Sequence, residues 1–232
     1  MSRMPRLISL LCLLTLGCGA GGGGLQPASP DVIAPGAPIN TVTLAAQYAA
    51  ADLDSAIALE PVMTNDPLTD RCASLTGTRD AGGSLVFAHC GFPEGDLNGA
   101  IDWVPGGSIV ATNRDLIWSR AGLEENFPLA GSATWAFNLK ADITTVDRTA
   151  MLGFTIQNRA LNLSMHGVWT RKADGTLESP IPVGAGAVSY LLNGGEDARV
   201  DFTLDGTSTM VLTLGTDSWT YDLATGGAPV PK

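Results

Sequence analysis

The chain has 232 residues, with 23 Asp and Glu against 13 Lys and Arg and a formal net charge of −10. The only adjacent basic pair is Arg171-Lys172, which argues against a nucleic-acid partner, because a phosphate backbone is held by clustered Lys and Arg. The acidity reads as a solvated, self-repelling surface.

The chain opens with a secretory pattern. Arg3 and Arg6 form a positive start, Leu7 to Leu16 an apolar run, and Gly17-Cys18-Gly19-Ala20 a small-residue exit. A membrane-spanning helix needs about 20 apolar residues, and this run is roughly half that. The segment 1–17 is therefore expected to be a signal peptide. Leu14-Thr15-Leu16-Gly17-Cys18 resembles the lipobox of bacterial lipoproteins, in which the cysteine is acylated and becomes the mature N-terminus. The resemblance covers the leader alone. It implies lipidation of Cys18 and a membrane partner reached through that lipid, and Gly19 after the cysteine implies sorting to the outer membrane. Ordinary cleavage after Ala20, giving a secreted protein, is the alternative. Loss of residues 1–17 leaves 11 basic against 23 acidic residues, a net charge of −12.

Residues 18–40 are expected to form a flexible tether. Glycines 19 and 21 to 24, then Pro27, Pro30, Pro35 and Pro38, leave little apolar surface to repay the entropy of ordering. Such a tether would hold the domain on the order of 25 Å from the membrane. A helix is expected over 41–60, capped by Asn40, Thr41 or Thr43, rich in Ala and Leu, and closed by Pro61. Its apolar face, through Leu44, Tyr48 and Ala51 with Leu53 and Ile57 beside it, is broad and mostly small. It should pack against the β-structure, with a partner-protein groove as the lesser use.

From Cys72 onward the apolar period is two. Leu129 to Leu139 alternates, Leu161, Leu163, Met165 and Trp169 alternate with Asn162, Ser164, His166 and Thr170, and Val200, Phe202 and Leu204 with Arg199, Asp201 and Thr203. One wet face favours antiparallel pairing, and the breaks near 82, 106, 175, 194, 206 and 215 are too short for crossover helices. Leu97/Trp103, Leu129/Trp135 and Leu163/Trp169 each lie six apart and so share a face. They read as a core ladder in preference to a glycan platform.

Two hairpins have definite expected registers. Around Asp205-Gly206, a three-residue loop Leu204-Asp205-Gly206 sets Thr203 against Thr207 and Val200 against Met210. Around Asp80-Ala81-Gly82, a three-residue loop pairs Thr78 with Ser84, Thr76 with Val86 and Cys72 with Cys90. In an oxidising compartment this last pair should be a disulfide, the staple of the first hairpin.

The expected fold is mainly β: an antiparallel up-and-down meander of about ten or eleven strands curled into a barrel or half-barrel, with one N-terminal helix packed on it. A β-sandwich is the alternative. The domain should run from 41 to 225, with 226–232 a flexible tail. A transmembrane barrel is disfavoured by only three tyrosines for two aromatic girdles and by the polar C-terminal end.

No catalytic, cofactor-binding or metal-binding residue is assigned. The nucleophile elbow, zinc-protease and phosphate-loop patterns are missing from the sequence. His89 and His166 read as surface histidines. Glu94, Asp96 and Asp102 lack the spacing of a calcium loop. The expected function is non-catalytic: a lipid-anchored envelope protein with a structural or surface-interaction role, facing an envelope protein or glycan. A lipocalin-like binder of a small apolar ligand or lipid is the alternative, and a glycan-active enzyme the third reading.

Overall fold

A computed structural model describes residues 38–64, 73–78, 81–92, 95–106, 109–120, 126–140, 143–156, 159–172, 182–192 and 195–232. Cys18, Cys72, Glu94 and the expected signal peptide lie outside the described residues. All described residues belong to one unit, Ile33–Lys232.

The unit begins with α1 (Pro38–Thr64). Then come β1 (Ala73–Thr78), β2 (Gly82–Phe92), β3 (Gly95–Val104), β4 (Ile109–Arg120), β5 (Asn126–Pro128) and β6 (Ala130–Lys140). The second half holds β7 (Ile143–Ile156), β8 (Arg159–Lys172), β9 (Val183–Leu192), β10 (Gly195–Asp205), β11 (Thr209–Leu214), β12 (Asp217–Asp222) and β13 (Val230–Pro231). All 13 strands form one antiparallel sheet in chain order, with β5 alone off the path as a short partner of β4. The meander is as expected. The strand count exceeds the expected ten or eleven because two very short strands, β5 and β13, carry no alternation of their own. The sheet is not closed, β1 and β13 being its ends.

The helix is longer than its caps suggest. It begins at Pro38, inside the expected tether, where proline's fixed φ suits a first turn. It also runs through Pro61 to Thr64. A proline in the last turn forfeits only one backbone bond, and little helix remains beyond it to be disrupted. The C-terminal segment also departs from the expected loose tail: β13 pairs Val230 with Thr220 and Pro231 with Trp219, and the Lys232 amide donates to the Ser218 carbonyl at 2.9 Å.

The period-two pattern sorts as expected. Leu129, Ala133, Trp135, Leu161, Leu163, Met165, Trp169, Val200, Phe202 and Leu204 are buried, while Ser132, Thr134, Asn162, Ser164, His166, Arg199, Asp201 and Thr203 are exposed. All three Leu/Trp pairs lie in the core, so these tryptophans form no exposed platform. The outward face is polar and the inward face apolar, the reverse of a barrel that presents its outside to lipid.

Parity survives in both hairpins, but the registers shift. Thr76 pairs with Ser84 and Thr78 with Gly82, so the loop spans 79–81, one residue earlier than expected. Gly82 takes φ +87° and the Ala81 amide donates to the Thr78 hydroxyl at 3.1 Å, which closes the turn. In the other hairpin Leu204 pairs with Met210 and Phe202 with Leu212, overturning the pairing of Thr203 with Thr207. The loop is wider because Asp205 organises it. Its Oδ1 accepts from the Thr207 amide at 3.0 Å and the Thr207 hydroxyl at 2.6 Å, and the Thr209 amide donates to Thr207 Oγ1 at 3.2 Å. Such side-chain bonds stabilise a turn that hairpin-length rules do not anticipate.

Two bulges shape the first half of the sheet. Between Phe87 and Cys90 strand β2 carries one residue more than β3, and between Arg114 and Ile117 so does β4. His89 (φ 52°) and Asp115 (φ 50°) sit at these bulges, the only described non-glycine residues with positive φ. Between them on β3 lies Gly99, at φ +113°, where a Cβ would stand 2.2 Å from the Asp115 carbonyl oxygen. The β2 bulge moves the inward position from His89 to Cys90, which is fully buried. The expected pairing of Cys72 with Cys90 falls partly on a residue outside the described set.

Two outcomes follow from these turns and bulges. Gly99→Ala should destabilise the domain by roughly 1–3 kcal/mol, read as a lower urea midpoint at unchanged slope. Asp205 is held below the ordinary carboxylate range by its bonds from Thr207, and Asp222 by its bonds from Thr225 and Ala224. Depressed carboxylates stabilise the fold above their unfolded values and lose that contribution as pH falls through the folded ones. Asp205→Asn should therefore flatten the acid limb of stability against pH, measured by urea melts at stepped pH.

Candidate functional site

The chemistry-bearing residues gather inside the sheet, around α1. Ala49, Ala50, Ala51, Asp52 and Leu53 are consecutive and all buried. The partly exposed positions of α1, Thr43, Leu44, Gln47, Asp54 and Ile57, fall within one sector of about 140° at 100° per residue, so the unit buries α1 over the rest of its circumference. The helix touches β4, β8, β10 and β11. Seven buried alanines, Ala45, Ala46, Ala49, Ala50, Ala51, Ala56 and Ala58, keep its radius small enough for the surrounding strands to approach. A helix buried over most of its circumference packs against the β-structure, as expected.

Its direction follows from its contacts. The Tyr190 hydroxyl donates to the Thr41 carbonyl at 2.6 Å, and Tyr190 lies opposite Leu161 on β8. Asp52 binds Arg148, which lies opposite Gly167, and Glu60 binds Arg171. Going from Thr41 to Glu60 thus climbs β8 from Leu161 to Arg171. The helical path of about 28 Å matches a strand path of about 33 Å, so α1 runs alongside β8 in the same direction.

The centre of the site is an ion pair. Arg148 Nη1 and Nη2 donate to Asp52 Oδ2 and Oδ1 at 2.9 and 2.6 Å, a bidentate pair with side chains 3 % and 0 % exposed. The Arg148 guanidinium also lies 5.0 Å from the centroid of Trp135, its direct cross-strand neighbour. Trp135 meets Trp169 edge-on at 6.0 Å and stacks on Phe137 at 6.2 Å. One turn before Asp52, Tyr48 packs edge-on against Phe154 at 4.8 Å, and its hydroxyl, like the Trp118 and Trp169 indole N–H groups, has no partner among the described residues. Burial, with the Asp52 carboxylate nearby as the smaller cause, pushes the Tyr48 phenol well above its ordinary pKa, so it stays neutral. Two turns after Asp52, the Arg171 Nε donates to Glu60 Oε2.

Both Asp52 oxygens are committed to Arg148, and the Ser55 hydroxyl donates at 2.8 Å to the Asp52 backbone carbonyl. The other residues weighed in the sequence are scattered. His166 is exposed on the outer face, 3.0 Å from Asp147 Oδ1. His89 is exposed at the β2 bulge. Asp102 faces Arg114 at 3.4 Å and Asp96 is exposed. Among the described residues no group of three His, Cys, Asp or Glu is placed to hold a metal.

No protein family, curated protein or solved structure matches this chain. The site therefore rests on its own geometry.

Sequence reasoning missed Asp52, Glu60, Arg148 and Arg171, although each left a trace. In β7 the inward positions run Val146, Arg148, Ala150 and Leu152, a charge in an apolar slot. In α1, Tyr48, Asp52 and Glu60 recur at multiples of four, which aligns them. An inward charge on one element together with an inward charge of opposite sign on another is a readable signal.

Breaking a buried pair strands a charge, whereas replacing both partners does not. Asp52→Ala should cost about 3–5 kcal/mol in urea unfolding, and the double substitution Asp52→Leu with Arg148→Met should recover most of it.

Proposed function

We propose that the protein is a lipid-anchored, non-catalytic envelope protein with a structural or surface-interaction role, held in the outer membrane through Cys18. The observation that supports the non-catalytic part is the burial of most of α1 against the apolar face of the sheet. The space in which a lipocalin-like barrel would take a ligand is filled by the chain's own helix, pinned by the Asp52–Arg148 pair. An apolar ligand would have to displace that helix. The five tryptophans are buried too, which removes the aromatic platform that a glycan reader or glycan-cleaving enzyme would present. The anchor rests on the Leu14-Thr15-Leu16-Gly17-Cys18 resemblance.

The same reading includes a Cys72–Cys90 disulfide. Its support is Cys90, which is fully buried on the inward face of β2, while Cys72 is the one other cysteine after Cys18. An oxidising envelope compartment suits such a bond.

Metabolic labelling with a fatty acid should mark the wild-type protein, and Cys18→Ser should abolish the label and release a water-soluble form. Label retained on the Ser variant would refute the anchor. Peptide mapping without reduction should recover Cys72 joined to Cys90, and the Cys72→Ser/Cys90→Ser double variant should lose roughly 3 kcal/mol of stability. Native mass spectrometry of protein taken from its own membrane should show no retained apolar ligand other than the N-terminal lipid. A stoichiometric second lipid would favour the binder instead.

A further inference from the structure

We draw no further inference here: the strongest candidate, the buried donors Arg148 Nε and Trp169 Nε1 beside Trp135 in the side-chain cluster between α1 and the sheet, belongs to the site already described, and nothing in the structure brings the two nitrogens to one point, because the Trp169 ring turns its Cζ3 edge, across the ring from Nε1, toward Gly167 opposite Arg148.

Discussion

The bidentate bond between Asp52 and Arg148 joins residues 96 positions apart and ties the buried side of the helix to the sheet. Such a tie matters because much of the buried surface of α1 is alanine. A helix of buried alanines meets its surroundings much the same way after a 100° rotation combined with a 1.5 Å slide, so apolar packing alone discriminates poorly among helix positions. A buried charge pair discriminates sharply, since every wrong position leaves an unpaired ion in a low-dielectric interior. Glu60 with Arg171 repeats the constraint two turns on, and Tyr190 with the Thr41 carbonyl supplies it near the helix start. Together they set both rotation and depth.

Packing against the helix decides how the sheet must be dressed. Inward positions carry the large side chains, Trp118, Trp135, Phe87, Phe202 and Tyr221 among them, and these fill the space between an alanine-rich helix and the wall. Where a large residue needs room, its neighbour gives way. Gly186 has no side chain where Phe202 lies across it, and a Cβ there would stand 2.4 Å from the Phe202 ring. Outward positions are mostly Ser, Thr, Asn and Asp, with exposed Val104, Val110 and Met151 among the exceptions, and they let a strongly acidic chain expose most of its charge. Helix, glycine placement and surface polarity are thus consequences of one topological choice.

How much of this was legible in the sequence depends on the range of the interaction that decides each feature. Alternation is local and read correctly in β6, β8 and β10, because a side chain's face follows from its own strand. Hairpin parity was also legible, since both faces must match. Register was not: Asp205 captures Thr207 and widens its loop, a side-chain effect outside the rules for short turns. The close packing of the helix was legible too, because its many alanines leave a broad small surface for the sheet to approach. Asp52 and Arg148 required comparing two distant segments, each of which looks merely irregular alone.

The bulges belong to a third kind, where a local defect becomes a tertiary choice. Nothing in Ala88-His89-Cys90 requires an extra residue, and simple alternation from Leu85 and Phe87 would point His89 into the core. An imidazole there would need a buried hydrogen-bond partner, whereas a cysteine sulfur behaves as a small hydrophobe. The left-handed turn at His89, at a cost of order 1 kcal/mol, places His89 in water and Cys90 inside. The matching bulge at Asp115 keeps Leu116 and Trp118 inward on β4 and leaves Asp115 in solvent. Both bulges flank Gly99, the residue whose missing side chain lets the Asp115 backbone cross so closely. The strain at these two positions is therefore offset by the burial it permits: each bulge exchanges a polar residue for an apolar one on the inward face, and β3, turning at Gly99 between them, carries Leu97, Ile101 and Trp103 into the same core.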